Sequence, residues 1–139
     1  MGMIPALDGA YRATTYRILA PDAAIDLFID RRSGALDALL ARRGVRNWAF
    51  LSACNPRSVP APPGVNRRLA TRLRRVLAAR GWTWLEAAGI PRDRRRAPEP
   101  SVWIGGISER DARRVAEQFR QNAFLAGRRG RPARLVWLR

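Results

Sequence analysis

Histidine and lysine are missing from this chain of 139 residues, and cysteine occurs once, at Cys54. Without imidazole there is no Ser-His-Asp or Cys-His pair and no proton shuttle of the ordinary kind. A single cysteine rules out an internal disulfide and a thiolate zinc cage. A general base would have to be a carboxylate, and a metal would have to be a hard ion on oxygen ligands. The pattern therefore implies no metal and no cofactor. No apolar run approaches the roughly 18 residues of a membrane helix, and residues 1–10 lack the basic start and apolar stretch of a signal peptide. A cytoplasmic protein with no membrane partner is the expectation. Gly105-Gly106 precedes Ser108 without the Lys-Ser/Thr that gives a glycine-rich phosphate loop its meaning.

What is present is arginine. It supplies all 27 cations against 11 acids, for a net charge of +16. A chain rich in Arg, Ala, Gly and Pro and devoid of Lys carries the stamp of GC-rich coding. That bias explains Arg in place of Lys, but not the excess of cations over anions. Guanidinium forks bind phosphates in pairs, so nucleic acid or a small anion is the expected partner.

The length suits one domain, 1–139, with one core and with residues 1–10 as a flexible start. Residues 14–19 and 25–29 read as a hairpin around Pro21-Asp22-Ala23-Ala24, with Ile25, Leu27 and Ile29 facing inward. Asp26 and Asp30 share its outer face, where a cation or plain solvent could meet them. Ser33 caps a helix that carries Leu36, Leu39 and Leu40 and stops at Gly44. Trp48 to Cys54 forms a nearly continuous apolar third strand, followed by the turn Asn55-Pro56-Arg57-Ser58. A second helix opens at Asn66 and ends at Gly81. Trp82 to Leu85 is a short strand, 88–98 a loop containing Arg94-Arg95-Arg96, and Ser101 to Ile107 a fifth strand. Ser108 and Asp111 cap a third helix that ends at Gln121 and Asn122, with Asn122 at the edge of the buried face and Gln121 outward. Ala123 to Gly127 and Arg134 to Leu138 close the chain as a hairpin. The order β-β-α-β-α-β-β-α-β-β predicts an α/β (α+β) fold, a mixed sheet with helices packed on it. Right-handed crossovers would set strand three beside the first hairpin. The five tryptophans lie in or beside strands, which favours core packing over base stacking.

In the second helix Val65, Leu69, Ala70, Leu73, Val76 and Leu77 form one stripe, and Arg67, Arg68, Arg72, Arg74 and Arg75 lie opposite as a polyanion face. Asn66 falls inside the apolar sector. An unpaired buried amide costs on the order of 1–3 kcal/mol, so Asn66 must find partners in the turn 55–58. Strand ends that meet helix starts are also where ligands sit in such folds. Asn55, Arg57, Ser58, Asn66, Glu99, Ser101, Gln121 and Asn122 are therefore the candidate ligand-binding residues. Glu99, fixed between Pro98 and Pro100 at a strand mouth, is the candidate catalytic carboxylate, with an arginine ion pair as its alternative fate.

Tyr11-Arg12-Ala13-Thr14-Thr15-Tyr16, Ser52-Ala53-Cys54-Asn55-Pro56, Asn66, Glu99-Pro100-Ser101 and Gln121-Asn122-Ala123, in that order, resemble the bacterial family called domain of unknown function 3293. The resemblance covers nearly the whole chain and departs at Ser52, where Thr is expected. It implies that Tyr11, Thr14, Tyr16, Asn55, Pro56, Asn66, Glu99, Ser101, Gln121 and Asn122 occupy motif positions, and it brings no activity with it. Two roles stay open for these polar residues: a buried network bracing the turn, or a pocket for a small anion. The functional expectation is a non-catalytic module for an anionic partner. Its alternatives are a small enzyme using Glu99, or a protein-interaction module dimerising through the hairpin at 123–138.

Overall fold

The computed structural model describes residues 3–138. Its elements run α1 (Met3–Arg12), β1 (Thr15–Leu19), β2 (Ala24–Leu27), α2 (Gly34–Arg43), β3 (Asn47–Leu51), a 3-10 turn (Pro56–Ser58), α3 (Pro63–Ala79), β4 (Trp84–Ile90), β5 (Glu99–Gly105), α4 (Glu109–Gln118), β6 (Ala123–Arg128) and β7 (Arg134–Trp137). The fold is α+β, with one seven-stranded sheet in the order β2-β1-β4-β5-β3-β6-β7. Every pairing is antiparallel. No parallel crossover is needed, so β3 does not lie beside the first hairpin. It sits between β5 and β6 near the middle of the sheet, which is why its run is apolar on both faces.

Strand alternation sends the two faces into separate cores. Ala49 and Leu51 of β3, Val102 and Ile104 of β5 and Phe124 of β6 pack under α3 and α4, through Leu73 and Leu77 and through Val115 and Phe119. Trp48, Phe50, Trp103 and Leu125 face the other way with Tyr16, Ile18, Ile25 and Leu27, covered by Leu36, Leu39 and Leu40 of α2. The indole of Trp48 has room because its cross-strand neighbour is Gly127; a Cβ there would stand 2.6 Å from the ring. The sheet curls until its ends nearly meet: Asp30 N donates to Ala133 O (2.7 Å) and Ala133 N to Arg31 O (3.1 Å).

Several boundaries move. The expected flexible start is helix α1 from Met3 onward, and residues 1 and 2 lie outside the described ones. Its Tyr11 packs edge-on against Trp137 of β7 at 5.4 Å, a long-range contact that local composition does not reveal. α3 begins at Pro63, before Asn66, because proline without an amide hydrogen is tolerated in the first turn. β4 runs to Ile90, shortening the 88–98 loop to 91–98, since Ala87 and Ala88 are held by pairing to β1 and β5. Gly44 (φ 69°) ends α2, and Ser33 and Ser108 cap α2 and α4 by accepting from Leu36 N and Asp111 N at 3.1 Å each. On the exposed face of the first hairpin Asp26 pairs with Arg17 (2.7 Å) and Asp30 with Arg12 (2.5 Å), so both carboxylates have guanidinium partners.

Candidate functional site

The chain leaves β3 through Ser52, whose hydroxyl accepts from Cys54 N (3.0 Å) and donates to Pro100 O (3.1 Å). That local turn buries Cys54, whose thiol is pushed up by burial and faces the carbonyls of Asn66 and Pro100 at 3.9 and 3.8 Å. Burial thus favours the protonated thiol over the thiolate. Asn55 follows in the left-handed region (φ 49°), as do Arg57 (φ 59°) and Ser58 (φ 61°). Asn tolerates that backbone, whereas for Arg and Ser it costs about 1 to 2 kcal/mol each. The turn is therefore held from outside. Arg57 N donates to Arg120 O (2.7 Å), itself on a left-handed residue, and Ser58 Oγ accepts from Asn122 Nδ2 (2.9 Å).

Asn55 and Asn66 lock the turn to α3. Asn66 Oδ1 accepts from Asn55 N (2.9 Å), and Asn66 Nδ2 donates to Asn55 Oδ1 (2.9 Å) and more loosely to Ala61 O (3.4 Å). Asn55 Oδ1 also accepts from Ala61 N (3.0 Å), and Asn55 Nδ2 donates to Glu99 Oε1 (3.0 Å). Gln121 is buried, not outward, because the chain leaves α4 through the left-handed Arg120; its Nε2 donates to Cys54 O (3.1 Å) and Phe119 O (3.2 Å). Ser101 is buried and its hydroxyl donates to Glu99 O (3.1 Å). Asn55, Ser58, Asn66, Glu99, Ser101, Gln121 and Asn122 are thus all joined to the same junction, mostly by bonds to one another or to the backbone.

Glu99 takes its hydrogen bond from an amide and not from an arginine. Burial raises its carboxyl above the ordinary range, while the bond from Asn55 and the charge of Arg96 pull it back in part. Tyr11 and Tyr16 stand close: burial raises both phenols, with the Glu99 charge adding to each. Tyr16 OH donates to Tyr11 O (2.7 Å), and Ser58 lies beside the Tyr11 hydroxyl. The N-terminal motif thereby closes the junction from the α1 side.

Two open depressions lie next to this closed network, on α3. A cleft of about 540 Å³ runs between α3 and β4–β5, lined by Cys54, Asn66 and Pro100 and by the Arg74–Glu86 pair. Glu99 does not line it. A groove of about 480 Å³ lies on the outer face of α3 among Gly64, Arg67, Arg68, Thr71, Arg72 and Arg75. Arg74 is turned away from that set: its Nε donates to Glu86 Oε2 (2.9 Å), its NH1 to Ala70 O (2.7 Å), and a second bond joins its NH2 to Glu86 Oε1. The carboxyl of Glu86 is held below its ordinary value, chiefly by that guanidinium, with Trp84 Nε1 adding a bond of 3.0 Å. The ion pairs among the described residues use Arg12, Arg17, Arg74, Arg95 and Arg134, and none uses an arginine of the groove.

Thr71 and Glu86 escaped the reading from sequence. Thr71 follows Arg67 by four residues, one helical turn, so the spacing held a signal. Glu86 reaches α3 only through the sheet, which no local pattern reveals.

A model of the family described as "Protein of unknown function (DUF3293)" matches residues 51–124, more than half of the chain. That stretch holds Asn55, Asn66, Glu99, Gln121 and Asn122 together with all of α3; the Tyr11–Tyr16 motif lies before it. No curated protein and no solved structure matches.

Proposed function

The chain belongs to the DUF3293 family, whose description carries no activity, and from that starting point we propose that it is a non-catalytic binding module for an anionic partner, a nucleic acid or phosphorylated ligand, engaged by the outer face of α3 in the cytoplasm. One observation carries this: Arg67, Arg68, Arg72 and Arg75 surround a single groove that no acidic residue lines. All four side chains are exposed. Gly64, in the first turn of the helix, leaves one end of that groove without a side chain. Guanidinium groups are well suited to phosphate oxygens, which they bind in a planar fork. No helix among the described residues is long and apolar enough to cross a membrane.

The alternative of a small enzyme built on Glu99 has less behind it, because neither depression reaches that carboxylate.

Binding of a short fluorescent single-stranded oligonucleotide, followed by anisotropy across a salt series, tests the proposal. About four phosphate contacts give a slope of log K against log salt near −3, at roughly −0.7 per contact. Replacing Arg68, Arg72 and Arg75 together by Ala brings that slope toward zero. The charge-matched control, Arg128, Arg129 and Arg131 to Ala in the β6–β7 turn, leaves it nearly unchanged. Equal losses from the two triple variants would reduce the binding to net charge and overturn the assignment to α3.

A further inference from the structure

We infer that the arginine groove and the neighbouring cleft are the two halves of one site for a nucleoside phosphate, the phosphate lying in the groove and the base in the cleft. This rests on the anion-binding reading above and gives it a ligand class. The two depressions are contiguous, since Arg67 and Thr71 line both. They differ in what they offer. The groove presents four guanidinium groups and no carboxylate. The cleft presents the surfaces of Ala61, Pro63, Ala70 and Pro100, with Arg67 shared with the groove and the Glu86 carboxylate beside Arg74. That carboxylate is ionised, being held below its ordinary value by Arg74. An anion is therefore drawn more strongly to the groove than to the cleft, where the Arg74 charge is already balanced by Glu86. A flat, weakly polar group meets the reverse preference.

The polar groups of the cleft are largely committed within the protein. Asn66 spends both amide hydrogens on Asn55 and Ala61 and has none left for a phosphate, while Arg74 has three of its N–H groups and its charge engaged by Glu86 and Ala70. Thr71, at the boundary, is exposed and carries a hydroxyl able to meet a sugar or phosphate oxygen. A volume of about 540 Å³ lies within the range of small-molecule sites and holds a base and its sugar. Two ligands share this chemistry, a free mononucleotide and an unpaired nucleotide of a single strand. An electropositive track beside surfaces that receive the bases is how single strands are held without sequence preference, and here the proline and alanine faces of the cleft stand where aromatic rings commonly do.

The test compares three probes, inorganic polyphosphate, adenosine monophosphate and a single-stranded oligonucleotide, on the intact chain and on two cleft-filling variants, Ala70→Phe in α3 and Ala61→Phe in the preceding loop. The expected result is a loss of about tenfold in oligonucleotide affinity, the size of one lost base contact, with polyphosphate affinity unchanged. A cooperative urea unfolding transition shows that the variant is folded, and Ala61→Phe serves if Ala70→Phe fails to fold. Adenosine monophosphate competing with the oligonucleotide, with the same sensitivity to filling, identifies a free nucleotide as a sufficient ligand; absence of competition, with the oligonucleotide still sensitive, assigns the site to a strand. Oligonucleotide affinity unchanged in folded variants, while arginine removal still weakens both polymers, would overturn the two-part site and leave the anion surface standing. Failure of polyphosphate and oligonucleotide alike to bind the intact chain would remove both.

Discussion

Asn66 and Arg67 are adjacent in sequence and serve opposite kinds of surface. Asn66 turns inward, where its oxygen accepts from Asn55 and its two N–H groups donate to Asn55 and Ala61. Arg67 turns outward into a groove shared with three more guanidinium groups and no acid. The difference is one of hydrogen-bonding capacity. An amide can be fully satisfied by two or three protein groups and then has nothing left to offer a ligand. Four arginines together carry some twenty N–H donors in rigid forks, far more than their neighbours can absorb. The helix is thus anchored on one side and available on the other, and each side can be broken without touching the other.

The largest effect belongs to the anchored side. Asn55→Ala removes the bonds to Asn66, Ala61 and Glu99 and places alanine at φ 49°. At about 1 kcal/mol per bond, plus about 1 to 2 for the left-handed backbone, the expected loss is about 4 to 5 kcal/mol, read from the midpoint of urea unfolding. Asn55→Gly loses less, because glycine accepts the backbone, and the gap between the two isolates the conformational part. Because Asn55 and Asn66 satisfy one another, Asn66→Ala adds little once Asn55 is gone. Additive losses would show that the two amides act independently.

How much of this was legible follows from the range of each signal. The apolar stripe of α3, the caps at Ser33 and Ser108 and the stop at Gly44 are local, written in spacing of a turn or less, and they stand in the fold where the spacing put them. The need of Asn66 for a partner near Asn55 was legible too, because polarity on an apolar face is a local contradiction that only a tertiary contact resolves. The order of strands was not. Whether β3 joins the first hairpin or lies between β5 and β6 depends on which faces bury most together, and a continuous apolar run fits either place. Gln121 was misplaced because a helical wheel assumes the helix continues, whereas Arg120 at φ 54° turns the chain and swings the next side chain inward. Gly127 is a further case: its value lies in making room for Trp48 across a strand pair that local sequence does not disclose.

Glu99 sharpens the comparison by charge. It is the acid of the closed region, and burial raises its carboxyl above the ordinary range. The folded chain then holds that proton to higher pH than the unfolded chain does. Its contribution is fully present below the unfolded value and is lost as pH rises through the folded one. Glu99→Gln keeps an acceptor for Asn55 Nδ2 and does not ionise. The variant is therefore expected to gain stability over the parent on going from pH 4 to pH 7, by less than the loss at Asn55. Glu86 and Asp26, whose carboxyls lie below their ordinary values, work in the opposite direction, but they cancel between the two proteins. Equal stabilities at both pH values would mean that the Glu99 carboxyl is as well solvated in the fold as in the unfolded chain.

The smallest effect on stability belongs to the open side, where it is the most telling. Replacing Arg68, Arg72 and Arg75 by Ala removes three like charges from a chain of net charge +16. It also removes one stacking contact, Arg72 over Phe119 at 5.9 Å. Relief of repulsion and loss of a cation–π contact are each about 0.5 kcal/mol and opposite in sign, so the midpoint of unfolding should move by less than about 0.5 kcal/mol. The repulsive part is screened over about 10 Å at 0.1 M salt, so the variant should gain most at the lowest ionic strength. If oligonucleotide affinity collapses in a protein whose stability has hardly moved, the arginines are serving a partner and not the fold. A loss of several kcal/mol would instead make them part of the anchor, and the two sides of α3 would no longer be distinct.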